Sequence, residues 1–70
     1  MYENCFKLEL FKDGKELLTQ WYDTMPLARK AGMYFLSTSE QDGIERGFRI
    51  TDTRFDLEVI KKGGVPDDRR

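Results

Sequence analysis

A chain of 70 residues and 8.3 kDa, 39% hydrophobic and 36% charged, has material for one hydrophobic core and none for a second. Twelve Lys and Arg against thirteen Asp and Glu give a net charge of -1, interspersed along both halves, so no long-range field draws the molecule to nucleic-acid backbones or acidic membranes. Without histidine the commonest general base and the commonest metal ligand are both missing, and the one cysteine, Cys5, has no intramolecular disulfide partner.

A lone cysteine in a chain this short favours a reducing compartment over a secreted one. Met1 is followed by Tyr-Glu-Asn rather than by a basic and then apolar leader, and no apolar run approaches the roughly 18 residues of a membrane span. These features predict a cytoplasmic protein. Aromatics at 13% favour a packed core over disorder. A core of this size gives a net stability of only about 3–5 kcal/mol, so self-association or a partner would help to hold it.

From Cys5 to Phe11 the chain alternates, with Phe6, Leu8 and Leu10 on one side and Lys7, Glu9 and Phe11 on the other, the pattern of a half-buried strand. Asp13-Gly14 follows, and this dipeptide suits a type I′ turn, which needs positive φ at both central residues. An unbroken ladder from that turn pairs Lys12 with Lys15, Leu10 with Leu17, Leu8 with Thr19 and Phe6 with Trp21. Trp21 is then expected in the core, and Leu18, Gln20 and Tyr22 on the opposite face.

Asp23 or Thr24 can cap a helix with Pro26 in its first turn, and the periodicity predicts that helix from about Met25 to Thr38. Leu27, Ala28, Ala31, Tyr34, Phe35 and Thr38 fall on one arc, with Arg29, Met33 and Ser37 opposite and Leu36 at or beyond the arc's edge. Gly32 costs roughly 1 kcal/mol relative to Ala in a helix interior, so it marks either a close contact or a weak point.

Ser39 to Gly43 reads as a loop. Beyond it, Ile44, Arg46, Phe48 and Ile50 line one face of a third strand, and Phe55, Leu57 and Val59 one face of a fourth. A short turn at residues 51–54 pairs Ile50 with Phe55, Phe48 with Leu57 and, outward, Arg49 with Asp56. Arg46 is the misfit on the inward face, expected at the strand end with its head group in water.

These elements predict an α+β, two-layer ββαββ domain over residues 1–62, a four-stranded sheet covered by one helix, with residues 63–70 a flexible polar tail. A short right-handed crossover favours strands one and four as parallel central neighbours, in the order 2-1-4-3. In element order and lengths the chain resembles the β-grasp arrangement of streptococcal immunoglobulin-binding domains; the resemblance implies that topology and carries no motif or function.

No catalytic residue, cofactor or metal site is expected. Cys5 has no imidazole to activate it and reads as a small filler. Asp52 with Asp56, and Asp67 with Asp68, lack the spacing of a calcium loop. Arg46-Gly47-Phe48 resembles the opening of the RNA-recognition-motif signature, which implies a nucleic-acid-binding sheet face carrying Arg46, Arg49, Arg54, Lys61 and Lys62. Arg49 and Ile50 stand where that signature has a small residue and an aromatic, one helix is predicted where that fold has two, and Asp52, Asp56 and Glu58 interleave the cations. Gly63-Gly64 after a final strand is similar to the diglycine end of ubiquitin-like carriers, although Val65 to Arg70 lie beyond it and would have to be removed.

The expected register leaves Phe11, Leu18, Tyr22 and Ile60 on the open face of the sheet and Met33 on the outer helix. An open face and two edge strands are routes to a partner. The sequence therefore predicts a non-catalytic protein-binding module that meets another protein or a second copy of itself through Phe11, Leu18 and Tyr22, with Met33 as the competing site. Adaptor, assembly subunit and small inhibitor of the kind that phages and plasmids encode all fit that class.

Overall fold

Phe6, Leu8 and Leu10 on one strand and Phe48 and Ile50 on another form two adjacent apolar rows, and burying these rows under a helix sets the architecture. The computed structural model describes residues 4–38 and 42–65. Its elements are β1 (Phe6–Lys12), β2 (Lys15–Tyr22), α1 (Met25–Ser37), β3 (Arg46–Asp52) and β4 (Leu57–Gly63). The α+β class and the ββαββ order are as the sequence predicts.

The strand order differs. It is β2-β1-β3-β4 with every neighbouring pair antiparallel, so the expected order 2-1-4-3 and its parallel central pair, the topology implied by the β-grasp resemblance, are not formed. Side-chain chemistry accounts for the choice. β3 carries Phe48 and Ile50, both without solvent exposure, and Arg49, whose guanidinium meets Glu9 on β1. β4 carries Glu58, Lys61 and Lys62, charges that an edge accommodates and a central strand would have to desolvate.

Asp13 (φ 55°) and Gly14 (φ 79°) make the expected type I′ turn, and Lys12 does pair with Lys15. The register then slips: Phe11 pairs with Glu16 and Leu10 with Leu18, so Leu17 is an extra residue, a β-bulge. Beyond it Leu8 opposes Gln20, Lys7 opposes Trp21 and Phe6 opposes Tyr22. One inserted residue exchanges the two faces of the strand. Tyr22 packs against the core, and Trp21 stands on the open face, 50% exposed.

The second hairpin departs in the same way. β3 runs on to Asp52, whose carboxylate accepts hydrogen bonds from the Arg54 N–H and guanidinium, and the turn occupies residues 53–56, with Asp56 at φ 52°. Asp52 pairs with Leu57 and Ile50 with Ile60, leaving Val59 as the extra residue of β4. The expected pairs Ile50 with Phe55 and Arg49 with Asp56 are absent, and Phe55 is exposed in the turn.

Thr24 is the helix cap, its hydroxyl accepting from the Leu27 N–H at 3.4 Å, with Pro26 in the first turn. The face turned to the sheet centres on Ala28 and Gly32, flanked by Ala31, Phe35 and Leu36, so Leu27 and Tyr34 are exposed rather than inward. A Cβ on Gly32 would lie 2.7 Å from the Phe48 ring. That contact settles the glycine's role as close approach of helix to sheet. Leu36 reaches toward Gly63, which closes β4 at φ 74° against the Arg46 carbonyl.

Candidate functional site

The open face is built on the odd-numbered residues of β1. Glu9 accepts a hydrogen bond from the Arg49 Nε at 2.8 Å across the central strand pair, and the same guanidinium lies 5.6 Å from the centre of the Phe11 ring. Phe11 is thereby only 5% exposed: it is part of the packed sheet and not a free anchor. Lys7 lies over the ring of Trp21 at 6.0 Å, one strand nearer the edge.

Phe11, Leu18 and Tyr22 are therefore not brought together. Leu18 opposes Leu10 and Tyr22 opposes Phe6, which places both on the helix side, while Phe11 points the other way. Tyr22 donates its hydroxyl to the Gln20 side chain at 2.7 Å. Met33 lies on the side of the helix facing β4, above Val59 and Ile60 and beside Arg29. Ile60 lies on the helix side too, opposite Ile50.

The cations of the nucleic-acid alternative are divided in the same way. Arg46 sits on the helix side, held by both oxygens of Asp42 at 2.7 and 2.8 Å and laid over Phe35 at 5.6 Å, so its head group is ion-paired rather than free in water. Arg54 grips both oxygens of Asp52 at 3.0 and 2.8 Å and lies between the rings of Phe6 and Phe55. Arg49 belongs to Glu9. These pairings hold the carboxyls of Asp42 and Asp52 below the usual carboxylate range, chiefly through the arginine hydrogen bonds, aided by the Ile44 and Arg54 main-chain N–H groups. Lys61 opposes Arg49 on the open face, and Lys62 opposes Phe48 on the helix side. The five cations share no single face.

Gly63 and Gly64 are tied into the fold. The Gly64 N–H donates to the Arg46 carbonyl at 3.0 Å, and the backbone of Gly64 passes so close to Gly47 that a Cβ there would lie 2.7 Å from the Gly64 nitrogen. β4 thus includes Gly63, one residue past the expected end of the domain at 62; residues 66–70 of the expected tail lie outside the described residues.

Among the described residues no group of three or more His, Cys, Asp and Glu could hold a metal, and no helix is long and apolar enough to cross a membrane. Cys5 is buried and its carbonyl accepts two hydrogen bonds from Thr53. A shallow depression between the Asp13-Gly14 turn and residues 43–45 is lined by Lys12, Lys15, Glu16 and Leu17, a set of mixed charge and apolar character.

The surface that stands out is the edge strand β2. Leu17, Leu18 and Trp21 are 55%, 46% and 50% exposed, and residues 17–22, Leu-Leu-Thr-Gln-Trp-Tyr, contain no charge and no proline. The sequence pattern does not single out Leu17 and Trp21, because an unbroken ladder buries both. The signal that finds them is the uncharged run itself, since edge strands usually carry charge or proline. At the other edge, β4 has Glu58, Lys61 and Lys62. Comparison with family models, with curated proteins and with solved structures finds no match to this chain.

Proposed function

We propose that this chain is a non-catalytic protein-binding module that docks through the β2 edge, as a small adaptor, an assembly subunit or an inhibitor. One observation carries the reading. β2 is a sheet edge of eight residues with no charge or proline from Leu17 to Tyr22 and three large apolar side chains about half exposed. Such an edge offers main-chain hydrogen bonds and side-chain burial together, the combination used when a partner adds a strand. The absence of histidine in the sequence and the burial of Cys5 favour binding over catalysis. A buried free thiol is also in keeping with a reducing, cytoplasmic setting.

Affinity capture from the native cell, with and without nuclease, tests the reading. Wild type should retain a protein that survives nuclease and is lost with Trp21→Glu, a substitution at an exposed position that leaves the core untouched. Loss of the captured material on nuclease treatment would transfer the function to nucleic acid through Arg46, Arg49, Arg54, Lys61 and Lys62. Loss with Met33→Glu in place of Trp21→Glu would move the site to the helix.

A further inference from the structure

We propose that the strand which completes β2 is β2 of a second copy, paired antiparallel about a two-fold axis at Gln20, so that two four-stranded sheets join into one of eight strands. The proposal rests on the protein-binding reading of this edge and names its occupant.

Main-chain direction defines which groups are available. A two-residue type I′ turn closes on a hydrogen-bonded pair, here Lys12 with Lys15, so alternate β1 residues Leu10, Leu8 and Phe6 direct their N–H and C=O groups at β2. Their partners Leu18, Gln20 and Tyr22 point back, and Thr19 and Trp21 present theirs outward. The bulge at Leu17 bends the strand, leaving Leu18 to Tyr22 as the regular segment, with Gln20 at its middle. Antiparallel pairing about Gln20 sets Thr19 opposite Trp21 of the other copy, twice, and these are the residues whose main-chain groups are outward.

The side chains match in that arrangement. Thr19 against Trp21 is a β-branched residue against an aromatic on the open face, Leu18 meets Tyr22 on the helix side, and the two Gln20 side chains face each other. Charge favours the same orientation. Parallel self-pairing would set Lys15, Glu16 and Asp23 each beside its own copy, whereas antiparallel pairing sets the Lys15-Glu16 end, which carries no net charge, against Asp23 of the other copy. β4 is the poorer partner, because its bulge at Val59 and its positive-φ Gly63 shorten the regular edge to residues 60–62, two of which are Lys61 and Lys62.

Charge at the two-fold axis tests both occupant and register. Wild type should sediment as a dimer. Gln20→Lys and Gln20→Glu should each raise the dissociation constant at least tenfold, because each places like charges directly opposite, and an equimolar mixture of the two should restore the dimer. In addition, Gln20→Cys should form an intermolecular disulfide, since Cα atoms of a non-hydrogen-bonded antiparallel pair lie about 4.5 Å apart, within the roughly 4.4–6.8 Å a disulfide spans. Peptide mapping assigns the bond to position 20 rather than to the buried Cys5. Thr19→Cys, offset from its symmetry mate, should not cross-link with itself.

A wild type that stays monomeric overturns self-pairing; if Trp21→Glu still abolishes capture of another protein, the edge reading survives with a different occupant. A dimer unaffected by all the Gln20 variants overturns both the register and the use of this edge. Filaments in place of a closed dimer would mean that β2 pairs head-to-tail with another surface, and would overturn the two-fold arrangement.

Discussion

Gly32 in α1 rests on the ring of Phe48 in β3, with a would-be Cβ only 2.7 Å from the ring carbons. Phe48 is fully buried among Leu8, Leu10, Ala28 and Ile50 and cannot swing aside into solvent. Gly32→Ala would gain about 1 kcal/mol in helix propensity and lose more by overpacking, which typically costs about 1–3 kcal/mol. The expected result is net destabilisation in urea unfolding. Phe48→Leu, which trims the ring, should convert Gly32→Ala from a loss into a gain when the two are combined.

The turn at Asp13-Gly14, the helix cap and the division of Phe6, Leu8 and Leu10 from Lys7 and Glu9 were legible because each follows from a few adjacent residues. The bulges at Leu17 and Val59 were not, since each depends on what the whole strand must place on the helix side. The strand order escaped for a related reason: crossover geometry alone favours β4 beside β1, and the deciding feature is that β3 brings Arg49 to Glu9 while β4 keeps its lysines at the edge. For the binding surface, edge position was legible and the identity of the outward side chains was not, because one extra residue exchanges Trp21 for Tyr22.

That exchange is measurable. Trp21 is the only tryptophan, so dilute wild-type protein should emit at the red-shifted wavelength of a half-exposed indole, and Trp21→Ala should cost less than about 1 kcal/mol. Tyr22→Ala should cost about 2–3 kcal/mol, since the ring packs against the core cluster. Deletion of Leu17 should remove the bulge, keep the pairs on either side of it and leave the emission unchanged. A red shift in the deletion variant would mean that Trp21 starts on the helix side of an unbulged wild-type strand, and would refute the bulged register.

The Glu9 and Arg49 pair joins the two central strands, with side chains 11% and 22% exposed. Exposed pairs contribute up to about 1 kcal/mol, and breaking a fully buried one costs about 3–5 kcal/mol. Arg49→Met, which strands a mostly buried carboxylate, should fall between, at about 2 kcal/mol. The double variant Glu9→Met, Arg49→Met should recover most of that loss, because it removes the unpaired charge as well. A double variant as unstable as the sum of the two singles would show that the residues do not act as a pair.

Acid should act mainly through the two aspartates gripped by arginine. In the folded chain the carboxyls of Asp42 and Asp52 lie below their ordinary value of 3.8, held there by Arg46 and Arg54. Between the folded and the ordinary value the unfolded chain binds more protons than the folded one, so stability falls as pH falls through that interval. The contribution of these pairs is fully present above about pH 5 and is lost progressively below pH 4. With no histidine in the chain, no step is expected between about pH 5.5 and 8. The urea midpoint should therefore be flat through neutrality and decline in acid. Asp52→Asn and Asp42→Asn should each lower the neutral plateau and make the acid decline shallower. An acid limb of unchanged steepness in the double Asn variant would assign the acid sensitivity to other carboxylates.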